Sequence, residues 1–252
     1  MNKSTITGGF WQGWQRTNAE NAIFHQWEQL EASGCIDNFR ILAEGKAGFR
    51  QGWYFADSDA YKWLEAASAI LPGYPNPHLS EKVNSFISLI ERAQDPDGYL
   101  YTFNQIHFPG TRWANLQIEH ELYCHGHLIE AGVTHYECLG EEKLLGIAQK
   151  ATDRIVADFM AKEPHGTPGH EEIEIALLRL YEVTGKPEYL KMGQAFLERR
   201  GRIRLFVPNL LRNFINNNRR VSRVEKEKAA YQAAHPDQRV PPLPPENEAK
   251  HP

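Results

Sequence analysis

Two stretches forty-five residues apart carry the same pattern of residues. His135-Tyr136-Glu137-Cys138-Leu139-Gly140, followed by Leu144-Leu145, is matched by Leu180-Tyr181-Glu182-Val183-Thr184-Gly185, followed by Tyr189-Leu190. Tyr136, Glu137, Gly140 and Leu145 fall on Tyr181, Glu182, Gly185 and Leu190. Each unit reads as a helix, a glycine turn that caps its C-terminal end, and a second helix. A single helical hairpin cannot bury its apolar face alone. A chain built of such repeats must stack into a solenoid or curl into a toroid. This repeat constrains the fold more than any other feature.

The rest of the chain reads as helix and loop. A helix is expected over about 17–33, capped by Thr17 or Asn18 and stopped at Gly34. Residues 36–56, punctuated by Gly45, Gly48 and Gly52, are expected to form a loop rich in aromatic and basic side chains. Asp57 or Ser58 is expected to cap a helix from Asp59 to Leu71, with Tyr61, Leu64 and Ser68 at helical spacing. Ser80 is expected to open the next helix, which places Val83, Phe86, Ile87 and Ile90 on one face before the turn Asp95-Pro96-Asp97-Gly98. Further helices are expected over about 116–138, 141–160, 170–184 and 187–199, with a loop at Pro164–Gly169. No run alternates with the period of two that a strand needs. Beyond residue 202, Arg219, Arg220, Arg223, Lys226 and Lys228 suggest a solvated basic helix, and Pro241-Pro242-Leu243-Pro244-Pro245 an extended linker ending inside a loop.

A hydrophobic content of 41% over 252 residues is enough to bury a core. The net charge of −4 argues against nucleic acid or an anionic membrane as partner, since both favour basic surfaces. No stretch reaches the roughly 20 apolar residues that span a bilayer. Met1–Thr5 is not followed by an apolar run, so no secretory leader is expected. Cys35, Cys124 and Cys138 are spaced neither as a disulfide framework nor as a CxxC site. A reducing, cytoplasmic location is the expectation. The six tryptophans read as core material first and as sugar platforms second.

Chemistry concentrates in His120-Glu121-Leu122-Tyr123-Cys124-His125-Gly126-His127. On a helix, His120, Cys124 and His127 share a face. Three readings stay open: a zinc site, a polar stripe lining a sugar pocket, or packing with each imidazole locally satisfied. The metalloprotease pattern HExxH fails, because Cys124 stands where its second histidine belongs. A second cluster, Pro168-Gly169-His170-Glu171-Glu172-Ile173-Glu174, places His170 at an expected helix start. There the helix dipole keeps an imidazole neutral, able to donate to and accept from sugar hydroxyls. If the helices curl, His120 and His170 should emerge at one rim.

Four motifs in order carry a resemblance. They are Asp57-Ser58-Asp59-Ala60-Tyr61-Lys62-Trp63-Leu64-Glu65-Ala66, then Gln94-Asp95-Pro96-Asp97-Gly98-Tyr99-Leu100, then His120-Glu121-Leu122-Tyr123 with Gly126–Ala131, then Pro168–Glu174. Together they resemble glycoside hydrolase family 127, GH127, whose type activity is an exo-acting β-L-arabinofuranosidase. The resemblance covers about Gly9 to Gly201. It implies an all-α chain, here an incomplete (α/α)6 toroid of helical hairpins. It divides the sequence into 1–202, part of the catalytic domain, and 203–252, a basic helical and proline-rich extension.

The resemblance further implies a retaining mechanism with a cysteine nucleophile, held by zinc on three cysteines and a glutamate, and a separate glutamate as acid/base. Zinc is therefore expected in a complete family enzyme, with no cofactor in this chain. The motifs for those residues, including an adjacent Cys-Cys pair, do not occur here, so no catalytic residue and no metal ligand is assigned to Cys35, Cys124 or Cys138. Sugar contact carries over to His120 and His170, and to His127 less directly. The expected function is the N-terminal portion of a hydrolase acting on terminal β-L-arabinofuranosides or similar sugars, inactive alone. The alternative is a non-catalytic helical module that binds glycans. The expected partner is a small-molecule or oligosaccharide substrate, and a homodimer is one possible arrangement of the full-length protein.

Overall fold

The computed structural model describes residues 6–161, 166–200, 206–238 and 240. Every regular element among them is helical. Helix α1 (Gly9–Thr17) runs through a single π-turn at Asn18–Ala22 into α2 (Ile23–Ala32). The expected caps at Thr17 and Asn18 are therefore interior to one continuous rod, which ends at Gly34 with φ +77°. Helix α3 (Cys35–Glu44) follows, then α4 (Ala56–Ile70) and α5 (Pro77–Ala93). A short α6 (Thr102–His107) precedes α7 (Glu121–Leu139) and α8 (Lys143–Phe159), then α9 (Ile173–Thr184) and α10 (Pro187–Arg200). Helix α11 (Phe206–Ala234) closes the order.

The repeat is the architecture. Hairpins α7–α8 and α9–α10 turn at Gly140 and Gly185, both left-handed, with φ +74° and +69°. Helix α7 packs against α4 on one side and α9 on the other, so α4, α7 and α9 form an inner layer. Helices α5, α8 and α10 form the outer layer. Two layers curling in this way make an arc of an (α/α) toroid. Ile175 and Leu178 of α9 and Leu197 of α10 stay exposed.

Two apolar clusters meet on α7. Cys124, Leu128 and Ala131 belong to the larger one, with Trp27, Phe39, Tyr61, Trp63 and Phe86. Leu122, Ile129 and Val133 belong to the second, with Ile155, Phe159, Leu177, Tyr189 and Phe196. Arg179 of α9 adds a polar tie across the inner layer. It bonds Glu130, Thr134 (3.2 Å) and Glu137 (3.0 Å) of α7 and lies 3.7 Å from Glu65 of α4.

Several boundaries differ from the sequence reading. The stretch expected as loop from 36 contains α3, whose buried Ile36 and Phe39 pack into the larger cluster. Helix α5 opens at Pro77 and not at Ser80, because Asn76 accepts from the amides of His78 and Leu79. Helix α7 begins at Glu121 and α9 at Ile173, each later than its periodicity suggested. The proline-rich stretch 241–245 and the start of the Pro164–Gly169 loop lie outside the described residues.

Asp57 and the basic C-terminal stretch are corrected more deeply. Asp57 is not a solvent-facing cap. It is fully buried, accepts from the amide (2.7 Å) and hydroxyl (2.6 Å) of Thr102, and stands 3.6 Å from Arg50. Burial pushes its carboxyl up, against the pull of Arg50 and Thr102. The stretch around Arg220 is not simply solvated either. Arg220 is buried, bonds Glu119 at 2.6 and 3.0 Å, and lays its guanidinium 3.7 Å over the Phe108 ring.

Truncating one partner of a buried pair leaves the other charge without compensation, which costs about 3–5 kcal/mol. Asp57→Ala is therefore expected to lose about that much in urea unfolding, whereas Asp59→Ala, at an exposed position of the same turn, stays within about 0.5 kcal/mol of the parent.

Candidate functional site

His120 and His170, expected from the sequence to emerge at one rim, meet. The His120 and His170 rings have centroids 3.8 Å apart and planes inclined by 40°. His120 is the N-cap of α7, and His170 lies in the bend that leads into α9. His170 precedes the helix by three residues, so its place comes from the bend and not from the helix end.

That bend is held by close backbone approach. The Gly169 amide donates to Leu116 O at 3.0 Å. A Cβ on Gly169 would stand 2.6 Å from Gln117 O and 2.8 Å from Leu116 O, so only glycine lets the two segments touch. Gly126 does the same one turn into α7, where a Cβ would meet Glu172 Cγ at 2.5 Å. Arg200 of α10 braces the bend from the other side. It donates to the His170 carbonyl at 3.3 Å and to Glu171 and Glu174 at 2.9 and 2.8 Å.

Aromatic rings frame the pair. Tyr54 and Phe55 each lie 5.2 Å from His120, and Tyr123 lies 5.3 Å from His120 and 5.7 Å from His170. His127 stacks edge-on against Tyr123 at 4.5 Å, so it joins the same wall one step deeper. Lys62 of α4 holds its ammonium 5.0 Å over the Tyr123 ring. Cys124, the third member of the shared helical face, does not join them. It is fully buried and points to Phe55 O at 3.7 Å.

The electrostatics keep the His120 and His127 imidazoles neutral. Burial, then the charge of His170, lowers His120 to about 4. Burial, then Lys62, lowers His127 to about 4. His120 Nδ1 donates to Ile118 O at 2.9 Å, which leaves Nε2 as the ring's acceptor. Glu172, 3.4 Å from His127 Nδ1, is pushed up to about 7 by burial and then by the charges of Glu130 and Glu65. Neutral donors and acceptors beside aromatic faces suit an uncharged polyhydroxyl ligand. Sequence reasoning missed Tyr54, Lys62 and Glu172 as neighbours of the pair. The aromatic density of residues 53–55 and the i+3 spacing of Tyr123 from His120 were the available signals.

The family model of the β-L-arabinofuranosidase GH127 catalytic domain matches residues 4–241. The chain belongs to the GH127 glycoside hydrolase family. The non-reducing end β-L-arabinofuranosidase of Bifidobacterium longum subsp. longum is 34% identical, over 85% of this chain and 36% of its own length. The crystal structure of a GH127 β-L-arabinofuranosidase from Geobacillus stearothermophilus T6 superposes with a TM-score of 0.79 at 39% identity, over 85% of this chain and 35% of that one. A second GH127 β-arabinofuranosidase structure gives 0.70 at 33% identity, over 79% of this chain and 33% of that one. The chain thus spans about a third of the length of these relatives. Among the described residues no helix is long and apolar enough to cross a membrane.

The zinc and thiolate chemistry implied by the family does not fit the cysteines present. Cys35 donates to Ala56 O at 3.1 Å, and burial pushes both the Cys35 and Cys124 thiols well up, away from the thiolate a zinc ion needs. Among the described residues no three of His, Cys, Asp and Glu stand close enough to share a metal.

Two outcomes follow. Gly169→Ala should part the two segments, remove the ring contact between His120 and His170, and cost about 1–3 kcal/mol in unfolding. In an NMR titration His120 should titrate near pH 4. In His170→Ala its midpoint should rise only part of the way to the ordinary value, because burial is the larger cause.

Proposed function

We propose that this chain forms the sugar-holding rim of a β-L-arabinofuranosidase-type site. His120 and His170 bond hydroxyls of a terminal arabinofuranose or a similar ring, and His127 supports them from deeper in the wall. The observation that carries this reading is the 3.8 Å meeting of two imidazoles from separate hairpins inside an aromatic frame. Relatives sharing 34–39% of its residues are β-L-arabinofuranosidases, which supports the choice of sugar.

The rim supplies recognition. His120, its Nδ1 proton held by Ile118 O, offers Nε2 as an acceptor to a sugar hydroxyl, while Tyr54, Phe55 and Tyr123 pack on the C–H face of the ring. Bond cleavage is not assigned to it. The Cys35 and Cys124 thiols are buried, donate to backbone carbonyls and are poor nucleophiles as packed, so this chain is proposed to bind sugar without turning it over.

Methyl β-L-arabinofuranoside titrated into the isolated chain is expected to shift the His120 and His170 imidazole resonances. His120→Ala and His170→Ala should each weaken binding about tenfold, the effect of losing one or two hydrogen bonds. An aryl β-L-arabinofuranoside should release no chromophore. Unshifted imidazoles at saturating sugar would remove the reading, and turnover that survives both substitutions would move the chemistry elsewhere.

A further inference from the structure

His120 stands between two buried carboxylates of its own segment, Glu119 and Glu121. The sugar reading uses neither, yet they are the two ends of one hydrogen-bond circuit. Arg220 of α11 donates to Glu119 from Nε at 2.6 Å and from Nη2 at 3.0 Å. The same Nη2 donates to Asn104 Oδ1. Asn104 Nδ2 donates to the Tyr99 hydroxyl at 3.2 Å, and that hydroxyl donates to Glu121. All five side chains are buried.

Every bond in the circuit runs one way. Tyr99 has a single proton and gives it to Glu121, so it accepts from Asn104, whose amide is then oriented at both ends. The guanidinium is a planar fork, and two bonds to Glu119 with one to Asn104 leave it one placement. A buried ion pair adds little net stability over apolar residues of similar volume. What a closed, satisfied network supplies is a single arrangement of its members.

That arrangement bears on both imidazoles. Glu119 ends the turn 115–119, in which the amides of Ile118 and Glu119 bond Asn115 O at 3.2 and 2.9 Å. Ile118 O of this turn receives the Nδ1 proton of His120 at 2.9 Å. The same turn carries the segment of His170. Leu116 O accepts from the Gly169 amide at 3.0 Å, and Gln117 Nε2 donates to Thr167 O at 3.0 Å. One short turn thus holds both rings, and Arg220 pins it from 101 residues away in the sequence. We infer that Arg220 is a positioning residue: through Glu119, Asn104 and Tyr99 it fixes the tautomer and placement of His120, and with them the His120–His170 pair that meets the sugar. Helix α11, read from the sequence as part of an extension, then belongs to the site. The consequence for sugar rests on the function proposed above, whereas the hold on His120 does not.

The test uses the full 252-residue chain labelled with ¹⁵N at histidine. Arg220→Lys keeps the charge and removes the fork, and Asn104→Ala opens the circuit while leaving Arg220 on Glu119. In each, the His120 nitrogens should move toward a mixture of tautomers, and its titration midpoint should rise from about 4 toward the ordinary value as the ring loosens from its buried place. His135, buried on the same helix outside the circuit, should keep its resonances, which separates a local effect from a general loss of fold. Methyl β-L-arabinofuranoside should bind about tenfold more weakly to each variant, and this loss should vanish in a His120→Ala background. Unchanged His120 resonances in both folded variants, His135 moved as far as His120, or an affinity loss that persists without the His120 imidazole would overturn the inference. A parent chain that binds no sugar would remove the proposed function instead, while the tautomer and midpoint of His120, read without sugar, decide the positioning role.

Discussion

Helix α7 is buried on nearly every side, and the remaining elements are arranged by what each of its faces needs. One face completes the cluster of Trp63 and Phe86, and the other completes that of Ile155 and Phe196. A helix buried on nearly every side cannot rest on a surface, so it must sit between layers. That requirement places α4 and α9 on either side of it and makes the chain curve. Burying so many polar residues along it is tolerated because each finds a partner or a neighbouring charge. Glu130 takes Arg179, Glu121 takes the Tyr99 hydroxyl and the Trp113 amide, and His125 takes the Glu121 carbonyl.

The site is a by-product of that packing. Because α7 and α9 are adjacent inner helices, the segments that lead into them arrive at the same rim. Gly169 and Gly126 then let backbone touch backbone, which closes the last distance between His120 and His170. Neighbouring charges tune what burial has begun. His170 and Lys62 add to the burial that keeps His120 neutral, and Glu130 and Glu65 help to hold Glu172 near neutrality. Helix α11 reaches the same loops from outside, where Arg220 bonds Glu119 next to His120 and Glu227 bonds His107.

The cysteines show how context sets chemistry. A thiol is a nucleophile or a metal ligand only when its anion is favoured. Cys35 and Cys124 are packed against carbonyl oxygens and near Asp57, so burial and charge both disfavour the anion. Cys124 shares a helical face with His120 and His127, yet it belongs to the core, because the shared face turns from rim to interior within one turn of helix.

Much of this was legible in the residues themselves. The repeated Tyr-Glu-x-x-Gly pattern determined paired helices and both left-handed turns, since helical period and glycine's freedom are local properties. Trp27 and Trp63 as core, and the histidines that head the second and third hairpins, followed from the same local rules. The pairing of Asp57 with Arg50 and Thr102, the burial of Arg220, and the presence of α3 in an expected loop did not, because each depends on groups distant in sequence whose energies exist only once the layers close. The 3.8 Å meeting of His120 and His170 lies between the two. Its residues and its rim are local facts, but their contact depends on helix packing and on two glycines without side chains, and only the tertiary structure could decide that.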